Sequence, residues 1–104
     1  MPRIPTHPGE HLKDAITAAG ITARQLALDI EVPANRITAI LHGRRAVTAD
    51  TALRLGRYFG TSAEFWLNLQ QLYELRAAEN AIGARVRKLP TVKERHRSAA
   101  GAAA

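Results

Sequence analysis

Residues 22–45, TARQLALDIEVPANRITAILHGRR, constrain this chain more than any other stretch. Thr22 and Gln25 stand in the T-x-x-Q spacing of a capping box, so a helix is expected just after Thr22. Leu26, Ala27 and Ile30 then give that helix one apolar stripe. Pro33 cannot continue it but suits the first turn of a second helix. Ile37, Ile40 and Leu41 put a second stripe at i, i+3, i+4, and Gly43 is placed to end that helix. Helices this short are not stable alone in water. They must cross on a shared core.

Two short helices crossing through a tight turn form a helix-turn-helix, whose second helix suits the DNA major groove. With Ile37, Ile40 and Leu41 facing inward, Ala34, Asn35, Arg36, Thr38, Ala39 and His42 face out. Asn pairs bidentately with adenine and Arg with guanine, and Thr offers a hydroxyl or a methyl. Ala34, Asn35, Arg36 and Thr38 are therefore the expected base contacts. No acid lies between Pro33 and Ala49, a stretch that holds Arg36, Arg44 and Arg45. Arg44 and Arg45, beyond the helix end, are expected on backbone phosphates, which position a protein without reading sequence. Thr22 and Arg24 are expected to add phosphate contacts at the start of the first helix, although capping alone already accounts for Thr22. The plain alternative for all of them is a solvated polar helix face.

The other helices follow from the same signals. Pro8 fits the first position of a helix to about Ala19, with Leu12, Ala15, Ile16 and Ala19 inside and Gly20 as its stop. Thr48 should cap a helix from about Ala49 to Phe59, with Ala52, Leu53, Leu55, Gly56 and Phe59 toward the core. Thr61 and Glu64 make a second capping box, opening a longer helix from about Ser62 to Glu79. Phe65, Trp66, Leu69, Leu72 and Tyr73 fall on it at helical spacings. They cover more helix than a small domain needs, which points to a dimer interface; packing against residues 82–89 of the same chain is the alternative. The expected fold class is all-α, a five-helix domain over residues 1–79 with a long fifth helix. Residues 80–104 form a basic C-terminal extension. Ile82, Val86 and Leu89 allow a short helix to about residue 88, and the rest has too few large apolar groups to offset the entropy of ordering.

Charge is unevenly placed. The chain of 104 residues carries a formal +6, but residues 1–80 hold nine basic and eight acidic side chains, against six and one in residues 81–104. The basic character is mostly that of the extension, so the local arginines are the better sign of a nucleic-acid partner. There is no cysteine, hence no disulfide, thiolate nucleophile or cysteine-based zinc site. His7 and His11 are four apart, but His7 precedes Pro8 and should lie outside the helix, so no metal site is expected. No nucleophile or acid–base set suggests an enzyme, and no cofactor is expected. No apolar run approaches the roughly 18 residues of a membrane span, and the N-terminus lacks the apolar middle of a signal peptide. A bacterial-type cytoplasm fits these features.

HPGEHL at 7–12, VPANRITAILHGRRAVTADTALRLGRYFG at 32–60 and TSAEFWLNLQQLYEL at 61–75 resemble the XRE, or phage-repressor-like, family. They are most similar to its HigA-type (VapI-like) antitoxins. The resemblance covers about His7 to Arg76, and its last segment is the most specific. It implies a homodimer on double-stranded operator DNA, repression of its own operon, and neutralisation of a RelE-like mRNA-cleaving toxin. A stand-alone dimeric repressor without a toxin partner is the alternative, and a toxic neighbouring reading frame would separate the two. Two positions depart from the wider XRE pattern. Ala23 stands where Gln is frequent, and Glu31 stands in the inter-helix turn where Gly is usual, which implies either φ > 0 at a carboxylate-bearing residue or a turn built differently.

Overall fold

The computed structural model describes residues 5–96, and its named elements are five helices. They are α1 (Pro8–Ala19), α2 (Ala23–Asp29), α3 (Ala34–Leu41), α4 (Ala49–Phe59) and α5 (Ala63–Arg87). No strand occurs among the described residues. α2 packs on α3, α1 packs on both α3 and α5, and α4 lies along α5. Leu12, Ile16, Leu26, Ile37, Ile40, Leu55 and Trp66 form the centre, with Ala27, Ile30, Val47 and Ala52 around them.

The ends of the elements follow from their caps. Thr22 Oγ1 accepts the Gln25 amide at 3.1 Å, but the Gln25 side chain turns forward to Asp29 at 2.8 Å, so only half of the expected box forms. Pro33 is the N-cap of α3, one position before the expected first turn. α3 ends in a Schellman motif: the Gly43 amide donates to the Ile40 carbonyl at 3.0 Å and the Arg44 amide to Ala39 at 2.8 Å. Gly43 supplies the required φ of 72°. α1 approaches α3 so closely at Gly9 that a Cβ there would overlap the Ile40 carbonyl oxygen.

Several expectations are corrected. α5 is capped by Ser62, whose hydroxyl accepts the Phe65 amide at 3.1 Å. Thr61 instead accepts the Trp66 indole N–H at 3.0 Å, so its hydroxyl satisfies a buried ring and not a helix end. α5 does not stop near Glu79 but runs unbroken to Arg87. Asn80 and Gly83 each disfavour a helix by only about 1 kcal/mol or less, and alanines at 77, 78, 81 and 84 favour it. No proline intervenes before Pro90. Glu64 in the first turn and Arg85 and Arg87 in the last also suit the helix dipole. Beyond α5, residues 92–96 form a helical turn, where disorder was expected. A reciprocal capping box opens it: Glu94 N–H donates to Thr91 Oγ1 at 3.1 Å and Thr91 N–H to Glu94 Oε2 at 3.4 Å. The remainder of the extension, residues 97–104, lies outside the described residues.

Burial departs from the sequence pattern at three further places. Ile37 and Ile40 are fully buried, but Leu41 is only half-buried. Leu53, expected inside, is 65% exposed. Ala19 is exposed as well.

Candidate nucleic-acid interface

α3 projects Ala34, Asn35, Thr38 and His42 into solvent. Thr38 Oγ1 is turned back toward its own helix, 3.3 Å from the Asn35 carbonyl and 3.4 Å from that of Ala34. Its methyl is therefore the group free to meet a thymine methyl. Arg36 is corrected. It does not project beside Asn35 and Thr38; its side chain is only 23% exposed, and Nη1 donates to Asp50 Oδ2 at 2.6 Å. Asp50 lies in the first turn of α4. That bond turns the Arg36 guanidinium toward the start of α4.

Arg44 and Arg45 are exposed directly after the Schellman motif, and Thr22 and Arg24 are exposed at the start of α2. Thr22 still offers a lone pair besides the one used by Gln25 N–H. The loop after α3 is held from two sides. Val47 is buried, and its amide donates to Oε1 of the buried Gln70 on α5 at 2.8 Å. Gln70 was missed by sequence reasoning because a polar residue on an apolar stripe reads as a solvated position. On the other side stands His7. Its Nδ1 accepts the Gly9 amide at 2.9 Å and caps α1, while the ring also faces the Arg45 backbone. The ring stacks edge-on against Tyr73, with centroids 4.8 Å apart. Burial holds the His7 pKa below its ordinary 6.5, against the raising effects of the Arg45 backbone and Glu10.

The inter-helix turn has Glu31 at φ 59°, the first of the two alternatives that the missing glycine implied. The turn is tied to α4. Arg54 Nη1 donates to the Ile30 carbonyl at 2.7 Å, and Tyr58 Oη donates to Asp29 at 2.7 Å. That second bond holds the Tyr58 phenol above its ordinary pKa of 10.0.

The Helix-turn-helix family model matches residues 12–66. Virulence-associated protein I of Dichelobacter nodosus is 48% identical over 80 residues, 76% of this chain and 72% of that protein. A solved addiction module antidote protein of a HigA family from Coxiella burnetii is 47% identical, with a TM-score of 0.80 over 86% of this chain and 98% of that one. Pseudomonas aeruginosa antitoxin HigA, solved with the higBA promoter, is 40% identical, with a TM-score of 0.81 over 86% and 99%. The chain is a HigA-type member of the XRE helix-turn-helix family.

In this HigA-type chain the residues expected at a dimer interface divide into two sets. Trp66 is 1% exposed and belongs to the core, where Thr61 satisfies its ring. Leu69 is half-buried against the same core, and Tyr73 is half-buried and meets His7. Phe65 and Leu72 are exposed. They are joined by Leu75, Ile82, Val86 and Leu89, all exposed on the same helix or just past its end. These six fall at successive spacings of 7, 3, 7, 4 and 3, the a/d pattern of a coiled-coil seam, with Asn68 and Glu79 at the two polar positions. That spacing was the available signal; ending the helix at Glu79 hid it. No helix among the described residues is long and apolar enough to cross a membrane.

Proposed function

We propose that this HigA-type protein is a cytoplasmic antitoxin that neutralises a RelE-like mRNA-cleaving toxin and represses its own operon as a homodimer. The observation that carries the DNA reading is the exposed α3 surface of Ala34, Asn35 and Thr38, bounded by Arg44 and Arg45 and free of acids from Pro33 to Ala49. Asn35 and Thr38 read base edges, with Ala34 close enough to admit a thymine methyl. Thr22, Arg24, Arg44 and Arg45 hold phosphates on either side. The relative solved with its promoter supports the same use of the fold.

The seam on α5 supports pairing of two chains, since six large apolar side chains from Phe65 to Leu89 remain exposed among the described residues. Two recognition helices then meet two half-sites about 34 Å apart, one DNA turn, or a multiple of it. Toxin neutralisation rests on family membership. It is tested by co-expressing the chain with the neighbouring reading frame. Rescue of growth and co-purification support the antitoxin role, whereas a harmless frame that does not co-purify replaces it with the stand-alone repressor. Retention of the chain's own promoter over a scrambled duplex tests the DNA role separately.

A further inference from the structure

We propose that Asp50 is a positioning residue for DNA recognition: it clasps Arg36 and Arg54 so that Arg36 fixes the seat of the recognition helix and does not read a base. This rests on the DNA-binding reading above.

One carboxylate oxygen joins three elements. Asp50 Oδ2 accepts Arg36 Nη1 at 2.6 Å and Arg54 Nε at 3.2 Å. Arg54 Nη1 in turn reaches the Ile30 carbonyl at 2.7 Å and the Glu31 carbonyl at 3.4 Å. A continuous chain of bonds therefore runs from the left-handed turn, through α4, to the second helical residue beyond Ala34 on α3. Hydrogen bonds from Arg54 and then Arg36 hold the Asp50 carboxyl below its ordinary range, so it stays ionised wherever the protein meets DNA.

An exposed ion pair alone is worth little and could yield to a phosphate. Here the carboxylate holds a guanidinium whose stem is already packed in, so the two act together. The Nε atom is buried and has no hydrogen-bond partner, so the side chain is packed in as far as the guanidinium. A base edge could be reached only by withdrawing that stem from beside α4. Asn35 and Thr38 need no such movement, being exposed already.

The clasp also keeps a cation from acting indiscriminately. A released Arg36 would add one mobile positive charge next to the groove-facing surface, and phosphates of every sequence would attract it equally. Asp50 thus raises the ratio of operator to non-operator binding without touching DNA.

The test compares wild type, Asp50→Asn, Arg36→Ala and Arg36→Met on the operator, on operators substituted one base pair at a time, and on a scrambled duplex across salt. Arg36→Met keeps the buried stem and so covers the case in which Arg36→Ala fails to fold. For Asp50→Asn, scrambled-duplex binding should steepen in salt dependence by about one phosphate contact, and the operator-to-scrambled ratio should fall several-fold. For the Arg36 variants, operator affinity should fall while the ranking of substituted operators stays as in wild type. Relaxed preference at a single base pair in Arg36→Met would show that Arg36 reads that base and overturn the proposal. An unchanged ratio and salt slope in Asp50→Asn would overturn it too. Failure of the wild-type chain to prefer its operator would instead remove the DNA reading itself.

Discussion

Gly9→Ala tests the seat of the recognition helix from the opposite side. Gly9 lies at the start of α1, and a Cβ added there would overlap the Ile40 carbonyl oxygen and stand 3.1 Å from its carbonyl carbon. Both are backbone atoms of α3, so no side chain can swing aside. α1 and α3 would have to part by roughly 1 Å to restore an ordinary contact. Overpacking of this kind costs about 1–3 kcal/mol, and a backbone obstacle belongs at the upper end. Replacing glycine in a helix returns at most about 1 kcal/mol. The net loss is about 1–2 kcal/mol, or roughly 5–15 °C in Tm for a domain of this size. Gly20→Ala is the control. Nothing lies within 4 Å of its added Cβ, but its φ of 68° is left-handed. It should lose a similar 1–2 kcal/mol through backbone strain alone. Denaturant unfolding gives both losses, and binding to the operator is then measured well below either Tm. Gly9→Ala should bind more weakly because Ile40 has moved with α3; Gly20→Ala should bind as wild type. A Gly9→Ala protein as stable as wild type, with unchanged operator affinity, would refute the close approach of these helices.

Glu31→Gly should stabilise the fold by about 0.5–1 kcal/mol, since relief of the left-handed backbone exceeds the entropy that glycine loses; a loss in urea unfolding would contradict the turn geometry. The folded His7 pKa lies below its ordinary 6.5, so the unfolded chain takes up the proton first. This contribution is complete above 6.5 and lost as pH falls from there through the lower folded pKa, and in His7→Asn, which can still cap α1, unfolding midpoints measured from pH 7.5 to 5 should decline less. Ile82→Glu should give monomers in sedimentation with little loss of stability, because Ile82 is 49% exposed, whereas Trp66→Ala should lose about 3–5 kcal/mol from the core; equal behaviour of the two would erase the division of α5. Arg45→Ala should weaken operator and scrambled DNA alike and flatten the salt dependence, while Asn35→Ala should relax one base position; the reverse pattern would move the groove away from α3.

The ends of α1 to α4 were largely legible because each rests on a local rule, whereas both ends of α5 were not. Pro8, Thr22, Thr48, Gly20, Gly43 and Gly60 act through their own backbone and the next few residues. At Glu31 the resemblance, which implies glycine in this turn, offered a left-handed residue as one of two alternatives, and φ is 59°. What could not be read was the choice between equivalent faces. Leu53 and Leu55 are both apolar on α4, and only the position of α5 decides that Leu55 is buried and Leu53 exposed. Arg36 is the same problem at the DNA face. Its helical phase allowed an outward direction, but a carboxylate fourteen residues away, at the start of α4, took the guanidinium. Thr61 and Ser62 show it at a cap: either hydroxyl could begin α5, and the buried Trp66 indole claimed Thr61.

The placement of Gln70 ties these faces together. α5 is about 37 Å long at the usual rise of an α-helix, and the described residues extend over 69 Å in their longest dimension. Its first half is anchored by Trp66 and by the Gln70 bond to Val47, two residues from Arg45. Its second half carries Ile82, Val86 and the cations Arg85 and Arg87 away from the core. In the proposed dimer the seam sets the distance between two copies of α5. Gln70 then passes that distance to the loop bearing the phosphate-facing arginines, through a buried bond. α3 is held to the same frame at both ends, by Gly9 against Ile40 and by Asp50 against Arg36. A change in seam geometry should therefore alter which half-site spacing is bound before it alters which bases are read, because spacing is carried by α5 and base choice by Asn35 and Thr38.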